Sequence, residues 1–266
     1  MTTPLFIIDA FTDRPFAGNP AAVCLLDGDR DAAWMQALAN EMNFSETAFV
    51  RPIEGGYGLR WFTPTVEVDL CGHATLASAH ALWESGRLAQ NQPARFQTRS
   101  GWLSANRRGD SIELDFPAKP ATQADPPPEL ARALGTKLKW AGNNRMDWLV
   151  EVESAEVLRA LKPDFALLAT LPVRGVIVTC RSDKAGFNFL SRFFAPAAGV
   201  PEDPVTGSAH CCLAPYWSAK LGKSELAGFQ ASRRGGVVQV RLAGDRVILG
   251  GKAVTVVRGE LAAAAE

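Results

Sequence analysis

The sequence shows no surplus of either charge. Lys and Arg number 28, Asp and Glu 28, and no long run of one sign occurs, so neither nucleic acid nor an anionic membrane is indicated as a partner. No stretch approaches the roughly 18 apolar residues of a membrane span. The start, "MTTPLFIIDAF", lacks the basic and long apolar regions of a signal peptide. The five cysteines (Cys24, Cys71, Cys180, Cys211, Cys212) are odd in number and never spaced CxxC. Reduced thiols in a cytoplasmic protein are the simplest reading. Three histidines without HxH or HExxH spacing make no zinc site, so no metal is expected. Neither GxxxxGK[ST] nor a strand-following GxGxxG occurs, and "RRGG" (233–236) reads as a basic turn. No nucleotide, flavin or other cofactor is therefore expected.

What is present is a large core and many strands. Hydrophobic residues make up 47% of 266 residues, enough for one large domain or two of about 130. Short runs bounded by Gly, Asp or Pro read as strands at 4–9, 21–26, 57–62, 111–116, 146–152, 175–180, 186–195, 237–242, 246–251 and 253–259. Helical patterns are fewer. The segment 31–43 puts Trp34, Leu38 and Met42 on one stripe, 127–135 is bracketed by Pro and Gly, and 154–163 is a short third. "GHATLASAHALWESGR" (72–87) and "GSAHCCLAPYWSAKLG" (207–222) are apolar on more than one face and rich in small residues. Each predicts a helix enclosed by a strongly curved sheet. Pro215 predicts a kink or break in the second helix near Ala214.

The Pro-rich stretch 116–130 reads as a linker between two halves that repeat one another. Arg60-Trp61-Phe62-Thr63-Pro64 matches Arg192-Phe193-Phe194-Ala195-Pro196, and Gly72-His73-Ala74 matches Gly207-Ser208-Ala209. The expected fold is α+β with pseudo-two-fold halves, each a highly curved sheet around a central helix. The halves are placed at 1–117 and 118–254, with the C-terminal strand 255–266 assignable to the first. Such halves would aim both helix N-termini into a cleft between them, a seat for a carboxylate-bearing ligand.

Four motifs, "DAFTDRPFAGNPAAVCLL", "NFSETAFV" (43–50), "DLCGHATLASA" (69–79) and "EDPVTGSAHC" (202–211), resemble in order and spacing the PhzF-like isomerase family of phenazine biosynthesis. That family belongs to the diaminopimelate epimerase-like fold. The resemblance implies a cofactor-independent isomerase, commonly a homodimer, acting on a small carboxylate-bearing substrate; phenazine precursors are the substrates of the family's namesake. It places the general acid/base at Glu46, a substrate-contacting acid at Asp203 and a substrate-lining imidazole at His73. Burial would tune a carboxyl at Glu46 to take and return a proton, a desolvated Asp203 would keep a proton to donate, and a helix start would keep His73 neutral. Ser45, Gly72, Gly207 and Ser208 are candidates for substrate contacts. Asn19 would support them from behind, and His80 and His210 would serve packing.

Amino-acid epimerases of the same fold use two cysteines, one per half. Cys71 stands just before Gly72, but the matching residue before Gly207 is Thr206, and a hydroxyl is a poor substitute for a thiol. Cys211 and Cys212 fall inside a helix and read as core. The alternatives to an isomerase are thus the two-base epimerase or racemase and a non-catalytic small-molecule binding protein.

Overall fold

The structure, a computed structural model, describes residues 3–262. In chain order its elements are β1 (Thr3–Ala10), β2 (Asn19–Leu25), α1 (Ala32–Met42), β3 (Thr47–Ile53), β4 (Gly56–Phe62), β5 (Glu67–Val68), α2 (Gly72–Glu84), β6 (Ala94–Thr98), β7 (Gly101–Arg108) and β8 (Ser111–Pro117). There follow β9 (Thr122–Gln123), α3 (Pro128–Leu134), β10 (Trp140–Asn143), β11 (Asp147–Glu151), α4 (Ala155–Ala160), α5 (Phe165–Leu168), β12 (Gly175–Arg181), β13 (Phe189–Ala195) and β14 (Val200–Asp203). The chain ends with α6 (Gly207–Leu221), β15 (Glu225–Gln230), β16 (Gly236–Ala243), β17 (Arg246–Gly251) and β18 (Ala253–Leu261). Two compact units result: Met1–Asp115 with Gly250–Glu266, and Phe116–Leu249. Residues 263–266 of the expected terminal strand lie outside the described residues.

In the first unit β1 runs antiparallel to β2 and β18, β2 parallel to β3, and β3 antiparallel to β4. β4 then pairs antiparallel with β5 and parallel with β6, which turns back into β7. The second unit repeats this order: β10 antiparallel to β11, β11 parallel to β12, β12 antiparallel to β13. β13 likewise pairs antiparallel with β14 and parallel with β15, which turns back into β16. Even one ion pair recurs in register. Arg60 on β4 grips Glu67 on β5 through two bonds of 2.7 Å, and Arg192 on β13 grips Glu202 on β14 at 2.7 and 2.9 Å.

The central helices are buried as the small-residue pattern requires. α2 packs on β1, β2, β3, β7 and β18. Its polar residues enter the core because Thr75 and Ser78 donate to the carbonyls of Cys71 and Ala74, at 2.5 and 2.7 Å, which satisfies each hydroxyl locally. α6 packs on β15 and β16, and its Trp217 donates to Thr179 on β12 while stacking on Phe189 of β13. Gly228 permits β15 to lie this close: a Cβ there would stand 2.5 Å from the Phe189 ring.

Some expectations need correction. α6 runs unbroken through Pro215. The carbonyl that Pro215 cannot serve is that of Cys211, and it accepts the backbone N–H of Lys119 at 3.0 Å, so the lost helical bond is replaced from outside. On α1 the fully buried positions are Met35 and Ala39, with Trp34 and Leu38 packed at the edge of the cluster. The expected strand at 186–195 starts only at Phe189, because Gly186 turns with φ +85°. The helix read at 154–163 ends at Ala160, since Pro163 disfavours helical backbone just before it. Among the described residues no helix is long and apolar enough to cross a membrane.

Candidate active site

In the first unit three chain segments bring their ends together. α1 closes on Asn43 in the left-handed conformation, φ +52°, and after a bend at Phe44 and Ser45 the chain enters β3. That leaves Glu46 immediately ahead of the strand. Asn19 opens β2, which lies parallel to β3. Cys71 and His73 stand at the start of α2.

His73 is the centre of this group. Its Nε2 faces Glu46 Oε2 at 3.4 Å, while Nδ1 is 3.2 Å from Asn19 Nδ2 and 3.5 Å from Cys71 Sγ. Burial holds its pKa down to about 3, so the ring is neutral. With the Asn19 amide donating to Nδ1, the ring's one proton is assigned to Nε2, which is buried and makes no hydrogen bond although Glu46 lies 3.4 Å away. Glu46 thus lies beside a neutral imidazole. Its side chain keeps 20% exposure, so it is less enclosed than the sequence suggests. Asn19, fully buried, contacts the imidazole directly and is a stronger participant than expected.

Donor atoms of Glu46, Cys71 and His73 lie within 4.8 Å of one another. The thiol sits against Nδ1 and the carboxylate against Nε2, whose lone-pair directions diverge. The set is thus better arranged to pass or hold a proton than to converge on one ion.

In the second unit β14 delivers Asp203, and Thr206 stands as N-cap of α6. The Thr206 hydroxyl donates to Asp203 Oδ2 at 2.5 Å. Gln230, at the end of β15 and fully buried, clamps both residues. Its Oε1 accepts the Thr206 N–H at 2.9 Å, and its Nε2 donates to the Asp203 carbonyl at 2.7 Å and reaches Thr206 Oγ1 at 3.3 Å. Gln230 was not singled out from the sequence; its run, "ELAGFQ", also carries Glu225 and so gives the glutamine no distinguishing signal. The neighbouring acid Glu202 is engaged by Arg192, which leaves Asp203 as the distinctive carboxylate of the motif.

Neither helix start is capped by its own N-cap side chain: Cys71 and Thr206 make no capping bond to α2 or α6. Gly207 is buried and Ser208 partly exposed in the first turn of α6. His210, also buried, places Nδ1 2.8 Å from the Thr206 carbonyl, and burial lowers its pKa to about 4. It braces the Thr206 turn. Cys24, Cys180, Cys211 and Cys212 are all buried, with thiols pushed up to about 12 by desolvation; they are core residues.

The sequence profile of the phenazine biosynthesis-like protein family matches residues 8–259. The chain belongs to that family. It is 55% identical over 262 residues to an uncharacterized isomerase of Halalkalibacterium halodurans, covering 98% of this chain and 99% of the relative. A crystal structure of a PhzF-family phenazine biosynthesis protein from Enterococcus faecalis matches with a TM-score of 0.94 at 41% identity, over 98% and 99% of the two chains. A hydroxyproline epimerase from Agrobacterium vitis shares the fold at a TM-score of 0.63 and 12% identity, over 98% of this chain and 92% of the epimerase. The PhzF family thus carries the epimerase-like α+β architecture that the resemblance implied.

Proposed function

We propose that the protein is a cofactor-independent isomerase that moves a proton between carbon positions of a small carboxylate-bearing substrate. The observation that carries this reading is the placement of the partly exposed Glu46 carboxylate 3.4 Å from a buried, neutral His73 ring. A carboxylate placed beside a neutral imidazole is positioned to take a proton from carbon and return one. In the step, the C–H bond breaks toward Glu46 and its electron pair delocalises into the conjugated substrate. Glu46, whose 20% exposure lets the captured proton exchange with solvent, then protonates a second carbon. His73 steadies the carboxylate in both states, and Asn19 holds the imidazole tautomer. Asp203, Gly207 and Ser208, with Ser45 and Gly72, are assigned to holding the substrate and the charge that develops on it.

The family relatives named as isomerases agree with this reaction class. The test is transfer of deuterium from D₂O into dihydro-hydroxyanthranilate and a panel of small unsaturated carboxylates, with Glu46→Gln beside the native protein. Native exchange lost in the variant supports the assignment, and full exchange in Glu46→Gln sinks it. A ligand that binds without exchange moves the protein to the binding-protein reading.

The two-base epimerase reading rests on Cys71, whose Sγ is 3.5 Å from His73 Nδ1. Its counterpart Thr206 is instead committed to Asp203 and Gln230. Retained turnover in Cys71→Ser, where the poorer acid replaces the thiol, excludes the thiol mechanism.

A further inference from the structure

A pocket adjoins the C-terminal end of α2, remote along that helix from His73. It encloses about 290 Å³ beside the last two turns, and its walls include His80, Trp83, Glu84, Arg107, Asp110 and Ile112. That volume is near the low end for small-molecule sites, which span roughly 300–1,000 Å³.

Trp83 and Ile112 form an apolar floor of which only edges reach the cavity, at 3% and 4% exposure. The acids of the wall are already answered. Glu84 accepts from Thr255 and Arg258 and lies 2.8 Å from His80 Nε2, while Asp110 faces Lys252 at 3.8 Å. His80 is kept neutral, because burial outweighs the pull of Glu84 and lowers its pKa. Arg107 is different. Its guanidinium lies 5.8 Å over the Trp83 ring, and among the described residues it has no acidic partner. The pocket therefore joins an aromatic floor to one uncompensated positive charge.

We propose that this pocket binds a small organic monoanion, a single carboxylate joined to a planar apolar body. The carboxylate would take the forked N–H groups of Arg107, and the body would fill the cavity over the edges of Trp83 and Ile112. A dianion such as phosphate fits less well, because its second charge would meet Glu84 and Asp110.

The experiment is a titration of isotope-labelled protein with benzoate, and with benzamide as its neutral isostere, following the Trp83 indole N–H and the Arg107 Nε–H by NMR. Benzoate should shift both signals saturably at millimolar concentration or below, and benzamide should bind at least tenfold more weakly. Arg107→Gln, a change at an exposed strand position, should bring benzoate down to the level of benzamide. Equal binding of the two probes, unchanged benzoate affinity in Arg107→Gln, no saturable shift, or shifts confined to the neighbours of Glu46 and His73 would each overturn the proposal.

Discussion

Gln230 gives a direct test of how the Asp203 motif is held. Gln230→Leu preserves most of the side-chain volume and removes every polar contact. The Thr206 N–H loses its acceptor at 2.9 Å, and the Asp203 carbonyl and Thr206 Oγ1 lose a donor at 2.7 and 3.3 Å. Leaving a buried polar group unsatisfied costs about 1–3 kcal/mol, and the leucine recovers part of two such losses, so a net cost of about 2–4 kcal/mol is expected. At about 2–4 °C per kcal/mol, the unfolding midpoint should fall by roughly 5–15 °C. Circular dichroism melts of the native protein, Gln230→Leu and Gln230→Glu check this. The glutamate keeps an acceptor for Thr206 but offers no N–H to Asp203 and adds a charge beside its carboxylate, so it should be no better than leucine. A Gln230→Leu midpoint within about 1 °C of the native value would refute the clamp.

Pro215→Ala should change stability by less than about 1 kcal/mol in urea unfolding, against the ~3 kcal/mol gain of removing an ordinary mid-helix proline, because Lys119 already satisfies the Cys211 carbonyl. Gly251→Ala would put a Cβ 2.3 Å from the buried Phe11 ring and should cost about 1–3 kcal/mol in the same assay. His73 and His210 have folded pKa values of about 3 and about 4, below the unfolded 6.5. Under acid the unfolded chain takes protons that the fold refuses. Stability is therefore full above pH 6.5 and declines toward pH 4 by about 1.4 kcal/mol per unit for each histidine; equilibrium unfolding at stepped pH measures it, and a flat profile over that window contradicts the burial argument.

The repeat was legible because its cues are local and chemical: an Arg-led strand, a Pro-containing loop and a Gly-led helix of small residues occur twice. β6, β7 and β15 escaped the reading for physical reasons. "GWLSANRR" is mostly exposed and polar, and "ELAGFQ" is interrupted by a glycine that serves the Phe189 ring on another strand. Glu46, His73 and Cys71 could be named from their motifs, but that they meet at opposite edges of one imidazole is a tertiary fact. Gln230 illustrates the limit most clearly. Its role depends on β15 pairing with β13 beside the Asp203 turn, and no sequence period records that pairing.

The two units share a frame but not its chemistry, and this bears on mechanism. The register Trp61↔Val68 in one unit answers Phe193↔Asp203 in the other, so the place of Asp203 is held by Val68. Cys71 and Thr206 are counterparts as N-caps, and His73 and Ser208 as second helical residues. A symmetric two-base racemase needs equivalent groups in both copies, whereas here one copy carries the carboxylate–imidazole pair and the other an aspartate fixed by a hydroxyl. Thr206→Cys tests that asymmetry. A thiol is a weak donor with a longer reach, so it should loosen Asp203 without supplying a usable second base. Loss of one such hydrogen bond costs about 0.5–1.5 kcal/mol, or roughly 2- to 12-fold if felt fully in the transition state. Thr206→Ser, which keeps the O–H, should recover most of the turnover. If Thr206→Cys instead matched the native rate and began to exchange the α-proton of a chiral amino acid with inversion, the frame would be able to run two-thiol chemistry, and the one-base reading of Glu46 would fall.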